Sequence, residues 1–398
     1  MLTAAQRALV LATVPLLETG GEALTTHFYR LLLAEHPEVR PLFNQAHQAS
    51  GEQPRALARG VLAYARNIER LEALGPLASQ IVNKHVALQV QPEHYPAVGA
   101  CLLRAIREVL GAEVATDEVI DAWAAAYGQL ADLLIGAEAA LYDQKAQAPG
   151  GWRGARVFRV ERKERESDEI TSFHLVPEDG GPVMDFQPGQ YIGLRLVIDG
   201  QEIRRNYSLS AAPNGRSYRI SVKREPGGLA SNHLHDQVVP GSRLELFPPS
   251  GEFTLDDTDR PLVLISGGVG ITPTLAMLDA AVATSQRPVH FIHCARNPAV
   301  QAFRRQVDEV AKRHPQLRRH YCVDEADPAQ APDAASHTVG RLDAERLAQW
   351  LPQGTRDVDA YVLGPKPFMQ QVKRALRSLG VPDAQVRHEF FGPASALE

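Results

Sequence analysis

The sequence predicts three successive domains of different class: an all-α domain, an antiparallel β-barrel, and an α/β domain built on a parallel sheet. Three observations carry this reading. Apolar residues recur at helical spacing through the first 146 positions. Beyond Pro149-Gly150-Gly151 the period shortens towards two. From about residue 260, short β-rich runs alternate with helical stretches, as strands joined by crossover helices do. The boundaries fall at 1–148, 152–259 and 260–398. A chain of 398 residues is in any case too long for one core.

In the first domain Thr3 and Gln6 have the spacing of a capping box, and Leu9 and Val10 begin an apolar face. Leu24, Phe28, Leu31 and Leu32 continue a helical stripe up to His36-Pro37. Further stripes run through Leu57, Val61, Tyr64 and Ile68, then Leu77, Ile81, His85 and Leu88. Longer helices are expected over about 93–110 and 117–142. There alanine is frequent, and alanine loses no rotamer freedom in a helix.

In the second domain the candidate strands are Arg156–Val160, Ile170–Leu175 and Tyr191–Leu194. Asp179-Gly180-Gly181-Pro182, Gln187-Pro188-Gly189 and Ala212-Pro213-Asn214-Gly215 separate them as turns, which suits a small antiparallel barrel. In the third, Leu262–Ile265, Val289–His293 and Tyr361–Leu363 read as buried parallel strands.

Composition removes several function classes. A net charge of -5, with both signs interspersed, gives no nucleic-acid footprint. The arginine-rich stretch 153–165 alternates with Glu and apolar residues and reads as a solvated strand face. Cys101, Cys294 and Cys322 lie far apart, with neither metal-ligand spacing nor the density of a disulfide scaffold. No apolar run approaches the roughly 20 residues that span a bilayer, and the first residues lack a signal-peptide pattern. A cytoplasmic location is the expectation.

Gly267-Gly268-Val269-Gly270-Ile271-Thr272-Pro273 follows a buried-looking strand and precedes a helix expected to begin near Pro273. Glycines there allow a tight turn and bring helix N-terminal amides up to a pyrophosphate. Alone, the run also suits an ordinary strand-to-helix turn, and it lacks the spacing of the standard dinucleotide fingerprint. Its companions change the reading. Gly189-Gln190-Tyr191, Arg205-Asn206-Tyr207-Ser208 and Gly227-Gly228-Leu229-Ala230-Ser231 precede it in that order.

This ordered set resembles the ferredoxin-NADP reductase-like family, whose barrel binds FAD ahead of a nicotinamide domain. The resemblance implies that Arg205 neutralises a flavin phosphate, and that Tyr207 and Ser208 contact the isoalloxazine. Tyr191 and Asn206 join the same cofactor set, and Gly227, Gly228 and Ser231 help bind the FAD pyrophosphate. Read without it, Arg205 is a surface ion pair and Tyr207 a barrel-core residue. Gly364-Pro365 and Phe390-Phe391-Gly392 follow the same layout, with Phe391 as the terminal aromatic near the flavin. Leu363 and Phe390 stand where the family usually has cysteines, which implies altered nicotinamide packing. Arg296 is either an exposed arginine or a group reaching a 2′-phosphate, so the sequence leaves NADH against NADPH open.

The helical half resembles a globin, and the whole chain resembles the flavohaemoglobin family. Phe43, in Pro41-Leu42-Phe43-Asn44, matches the phenylalanine that packs on haem. Tyr29, Gln53 and Leu57 match the distal side, His85 in Asn83-Lys84-His85 matches the proximal iron ligand, and Tyr95 and Glu138 match its partners. The chemistry is coherent: iron takes an imidazole nitrogen, and a hydroxyl and a carboxylate behind it fix the ring and raise its basicity. A tyrosine hydroxyl opposite can donate to a bound ligand. Gln53 and Leu57, four apart, share a helical face. Residue by residue the alternatives are plain: His85, Tyr29, Phe43 and Leu57 as core, Gln53 as a surface amide, Glu138 as a solvated charge. His27, His36, His47 and His94 are rival ligands.

The resemblance implies haem b with its iron, FAD and NAD(P)H as cofactors. It implies nitric oxide dioxygenase activity, joining NO and O2 to nitrate with electrons passing from NAD(P)H through FAD to haem. Two other readings are an NAD(P)H oxidase or ferric/quinone reductase, and an oxygen-binding or sensing globin with a maintenance reductase. Expected partners are the small molecules NO and O2, with no nucleic acid and no obligatory protein partner. The chain is expected to be a monomer, and lipid occupancy of the haem pocket is left open.

Overall fold

A computed structural model of the chain describes residues 2–44, 48, 51–325 and 337–391. They form two compact units: the helical segment through Ala148 together with Asp199–Arg205, and Pro149–Ile198 together with Asn206–Phe391.

The first unit is a bundle of α1 (Ala4–Ala12), α2 (Val14–Glu35), α3 (Glu52–Arg66), α4 (Gly75–Leu88), α5 (Tyr95–Leu110) and α6 (Asp117–Gln147). The capping box at Thr3 and Gln6 is formed: Gln6 N–H donates to Thr3 Oγ1 at 3.1 Å, and Thr3 N–H to Gln6 Oε1 at 2.9 Å. A 3₁₀ turn over Pro37–Leu42 follows α2 and ends at Phe43. The core collects Leu24, Phe28 and Leu32 of α2 with Ala105 and Ile106 of α5 and Ala122 and Ala126 of α6. Small alanines let these helices approach closely.

On α4 the packed face differs from the apolar stripe read in the sequence. Val82, Val86 and Ala87 are buried, whereas Leu77, Ile81, His85 and Leu88 are only half-buried. Leu57 and Val61 of α3 and Phe43 are half-buried as well. These residues leave apolar side chain partly uncovered on this unit.

Strands β1 (Arg156–Arg165), β2 (Ile170–Pro177), β3 (Tyr191–Ile198), β4 (Gln201–Ser208), β5 (Tyr218–Lys223) and β6 (Arg243–Ser250) form a sheet in the order β4-β3-β6-β1-β2-β5. A bridge between Leu209 and Ile220 joins the chain just past β4 to β5, bringing the sheet round on itself. A register shift in β1 between Val160 and Arg162 sharpens the twist this needs. The helix α7 (Leu229–Asp236) lies between β5 and β6 in sequence.

The remainder is a six-stranded parallel sheet in the order β10-β9-β8-β7-β11-β12. These strands are β7 (Leu262–Gly267), β8 (Val289–Ala295), β9 (Leu317–Val323), β10 (His337–Val339), β11 (Asp359–Leu363) and β12 (Val386–His388). The helices α8 (Ile271–Thr284) and α9 (Arg304–Arg313) cover one face, and α10 (Ala344–Trp350) and α11 (Lys366–Ser378) the other. Double coverage explains why β7 and β11 are buried along their whole length. The strand order reverses beside β7, where ligands of open α/β sheets bind. One expectation shifts: α8 begins at Ile271, after a 3₁₀ turn over Gly268–Gly270, two residues before Pro273. No helix among the described residues is long and apolar enough to cross a membrane.

Candidate functional site

The last turn of α4 carries His85, and behind it stand residues from two other helices. His85 Nδ1 lies 2.7 Å from Glu138 Oε1 of α6 and 3.3 Å from the Tyr95 hydroxyl at the start of α5. Tyr95 also donates to Glu138 Oε1, at 2.6 Å. An ionised carboxylate only accepts, so Nδ1 must carry the proton and Nε2 keeps its lone pair for a metal. Glu138 is 2% exposed, which removes the reading of a solvated helix charge. Its burial is tolerable because two donors meet it. Burial raises the Tyr95 phenol far above its ordinary range, helped by the bond to Glu138 and that group's charge. It therefore stays a donor. Tyr127, not singled out from the sequence, donates to the Tyr95 carbonyl at 2.6 Å and holds that residue in turn. Only tertiary proximity reveals it.

Tyr29 and Gln53 also meet. Gln53 Nε2 of α3 donates to the Tyr29 hydroxyl of α2 at 3.3 Å, so Gln53 is not a free surface amide. Receiving that bond leaves the Tyr29 proton available to another acceptor. Burial pushes the Tyr29 phenol up to about 12, against a smaller lowering by Gln53. The ring stands edge-on to Phe43, with centroids 5.5 Å apart. Leu57 lies one turn beyond Gln53 on α3.

The rival histidines are otherwise engaged. His27 is bonded to Glu108 and Arg30, and His36 to Glu38 at 3.0 Å. His94 Nδ1 accepts from the Gln91 N–H. His47 lies outside the described residues. The donor set at His85, with the half-buried apolar stripe around it, fits haem.

On β4 the side chains of Arg205, Asn206, Tyr207 and Ser208 alternate between the two sheet faces. Tyr207 and Ser208 are half-buried and Asn206 is exposed. Tyr191 is buried, its ring so close to Gly251 that a Cβ there would come within 2.8 Å of it. Burial raises the Tyr191 phenol, with smaller pushes from Glu389 and Glu252. Glu389 thus belongs to this neighbourhood, although nothing but its place beside Phe390 could have marked it.

Gly228 caps α7 in the space a Cβ would need, since one there would sit 2.7 Å from Ser231 Oγ. Ser231 Oγ accepts from the Glu225 N–H at 3.1 Å and donates to the Gly228 carbonyl. That hydroxyl closes the turn at the start of α7. At the other end of α7, Lys163 Nζ donates to the carbonyls of His235 and Val238 at 2.5 and 2.8 Å. This lysine, about 70 residues away in sequence, gave no earlier signal.

The glycine run meets Leu363 and Gly364, a contact the sequence did not mark. A Cβ on Gly270 would lie 2.6 Å from the backbone C and O of Leu363 and 2.8 Å from Gly364 N. Gly268 has φ +56° with open space beside it, the geometry of a backbone that lets a ligand approach. The turn thus touches Leu363 through its backbone, while the Leu363 side chain sits in the core beneath α8. Phe390 packs on the opposite core and on His388, and Phe391 is 48% exposed. Val269 is half-buried, whereas Ile271, Thr272 and Pro273 are buried at the start of α8. Directly before the run, Ser266 Oγ lies 2.9 Å from His293 Nδ1 on β8. The sequence reading missed that pair because His293 looked like one more strand residue. Arg296 is ion-paired with Glu169.

A histidine backed by a buried carboxylate, in an α-helical unit fused to a barrel and a nucleotide-type sheet, defines a haem-containing oxidoreductase that carries its own reductase. Family profiles agree segment by segment: globin over residues 26–134, an oxidoreductase FAD-binding domain over 157–255, and an oxidoreductase NAD-binding domain over 264–374. The chain is 67% identical to the flavohemoprotein of a Burkholderia species, and 67% identical to that of Pseudomonas putida. Each match covers the whole of both chains. It belongs to the flavohaemoprotein family.

Among solved structures it is similar to a flavohemoglobin from Malassezia yamatoensis with bound FAD and heme. That match has a TM-score of 0.85 and 27% identity, over 98% of this chain and all of that one. It is also similar to the FAD/NAD-binding domain of a nitric oxide dioxygenase from Vibrio cholerae. There the TM-score is 0.55 and the identity 37%, over 61% of this chain and all of that one.

Proposed function

We propose that the chain is an NAD(P)H-dependent nitric oxide dioxygenase, converting NO and O2 to nitrate. The observation that carries this is the buried Glu138 carboxylate bonded to both His85 and Tyr95. A carboxylate hydrogen-bonded behind a metal-binding imidazole suits activation of a bound ligand better than its reversible storage. Haem, when bound, supplies the iron at which the two gases meet, and FAD and NAD(P)H supply its electrons.

The residues have separable tasks. His85 presents Nε2 to the metal while Glu138 and Tyr95 fix the ring plane. Tyr29, whose hydroxyl accepts from Gln53, would offer its O–H as a hydrogen-bond donor to a ligand held on the distal side. Leu57 and Phe43 give the small ligand an apolar wall. On the reductase side Tyr191, Arg205, Asn206, Tyr207 and Ser208 hold the flavin, and α7 with Gly227, Gly228 and Ser231 receives the pyrophosphate. The Gly267–Pro273 turn would hold the nicotinamide nucleotide, and Phe391 would stand on the flavin side of that site. A cytoplasmic, single-chain enzyme accords with reductase and haem domains carried in one polypeptide.

Purified protein should be red, with a Soret band. Mixed with NO in air and NADH, it should make nitrate stoichiometrically with NO lost. Tyr29→Phe removes one preorganised donor, worth about 10²-fold in rate. The phenol at about 12 stays protonated from pH 6 to 10, so Tyr29 adds no inflection to the rate in that range. Unchanged NO consumption in Tyr29→Phe would overturn its role. Nitrate-free NADH oxidation would point to an oxidase or reductase instead.

A further inference from the structure

Strand β4 carries a second arginine whose side chain goes elsewhere. Arg204 immediately precedes Arg205, and Asp199–Arg205 cluster with the helices in one compact unit. Its guanidinium Nη1 donates to the Leu88 carbonyl at 2.6 Å and to the Gln89 carbonyl at 3.3 Å. Nε donates to Glu202 Oε1 at 2.7 Å. Both charged side chains are largely covered, 19% exposed for Arg204 and 23% for Glu202.

The helix end it meets is the one that bears the proximal histidine. Leu88 is the last residue of α4, three beyond His85, and Gln89 leaves the helix at φ 59°. The Val90 N–H closes on the His85 carbonyl at 2.9 Å, and the Gln89 N–H on the Val86 carbonyl at 3.1 Å. The Leu88 and Gln89 carbonyls point past those bonds, and Arg204 receives them. A helix C-terminus is the negative end of the aligned backbone dipoles, so a fixed guanidinium there both satisfies carbonyls and complements the field. A surface ion pair would leave the guanidinium in water. This one is seated on a single helix end and held by a neighbouring carboxylate.

We propose that Arg204 is a positioning residue for the proximal ligand. Held by Glu202, it clamps the last turn of α4, fixing the tilt of the His85 imidazole and keeping a permanent positive charge beside that turn. The inference rests on the reading of His85 as the haem ligand. Two consequences follow. Without the clamp the last turn frays and the imidazole samples several tilts. Without the charge the ferrous state, which carries one positive charge fewer on iron, loses a stabilising neighbour.

The test uses full-length protein loaded with haem and FAD, as wild type, Arg204→Lys, Arg204→Met, and Arg204→Met combined with Glu202→Gln. The double variant avoids leaving Glu202 as an unpaired, half-buried charge. Resonance Raman of the ferrous protein reads the iron–histidine stretch, and a redox titration at the Soret band reads the haem midpoint potential. The stretch should shift or broaden in both Met variants; the midpoint should fall in Arg204→Met and fall less in the double variant, which also removes the negative charge of Glu202. Arg204→Lys should restore the midpoint but not the sharp band, because lysine keeps the charge and loses the fork. FAD content should match wild type throughout.

An unchanged band in either haem-loaded Met variant, or an unchanged midpoint in Arg204→Met, would overturn the proposal. So would a Lys variant that behaves like Met in both measurements. Absence of an iron–histidine band in the wild type would instead overturn the assignment of His85.

Discussion

Replacing Glu138 by Gln tests the proximal site with little change of shape. The carboxylate is 2% exposed and accepts from His85 Nδ1 at 2.7 Å and from the Tyr95 hydroxyl at 2.6 Å. Gln Oε1 can still accept both bonds, so geometry is kept and charge is lost. A bond to a charged group contributes about 1.5–3 kcal/mol and a neutral one about 0.5–1.5 kcal/mol. Losing the charge therefore removes roughly 1–1.5 kcal/mol per bond, about 2–3 kcal/mol for the pair. Since each ~1.4 kcal/mol is tenfold, the full loss corresponds to roughly 10²-fold, the upper end of what outer partners of a metal ligand are worth. The assay is NO consumption under saturating NADH, with haem content and Tm measured on the same preparation. The amide is cheaper to bury than the carboxylate, so Tm should hold or rise while kcat falls about 10- to 100-fold. If kcat stays within about twofold of wild type with haem fully bound, the charge on Glu138 does not tune the site and the reasoning fails.

Two further outcomes concern the nicotinamide half. Gly270→Ala would push a methyl against the Leu363 and Gly364 backbone at 2.6–2.8 Å, an overpacking cost of about 1–3 kcal/mol. It should raise KM for NADH about tenfold or more and leave haem content unchanged. Gly128→Ala on α6, with nothing within 4 Å, is the control, and equal effects from the two would refute the close-approach account. The second outcome concerns His293, whose ring burial holds well below its ordinary value of 6.5, at about 4, with a smaller opposing push from Ser266. Because the folded value is depressed, the unfolded chain binds the proton more readily between pH 6.5 and 4. Stability is therefore full above about pH 6.5 and falls as pH drops through that window, by about 3 kcal/mol in all. Urea unfolding followed by flavin fluorescence should show His293→Leu losing less stability than wild type between pH 7 and 5, and parallel losses would contradict the assignment.

Much of this protein was legible in the chain because its signals are local. The Thr3 capping box, the helical stripes, the Pro149-Gly150-Gly151 break and the shift to a two-residue period depend on neighbours in sequence, and sequence displays neighbours. The glycine run was legible as a turn between strand and helix, whereas its approach to the Leu363 backbone at 2.6 Å appears only in the fold. His85, Tyr95 and Glu138 could be named together only through resemblance to a family. By spacing alone Glu138 is a helix charge and His85 one member of an apolar stripe.

Tertiary structure decided the rest, because the deciding contacts join residues far apart in sequence. It buried Glu138 and gave it two donors, turned the Leu77–Leu88 stripe into a half-covered face, and set Gln53 against Tyr29. It also brought Tyr127 to Tyr95, Lys163 to the end of α7 and Arg204 to the end of α4. The sequence by itself determined the order of the three domain classes and the helices, strands and turns with strong local patterns. Which carboxylate backs the histidine, and which arginine holds that histidine's helix, depends on desolvation and hydrogen-bond geometry that exist only once the chain has folded.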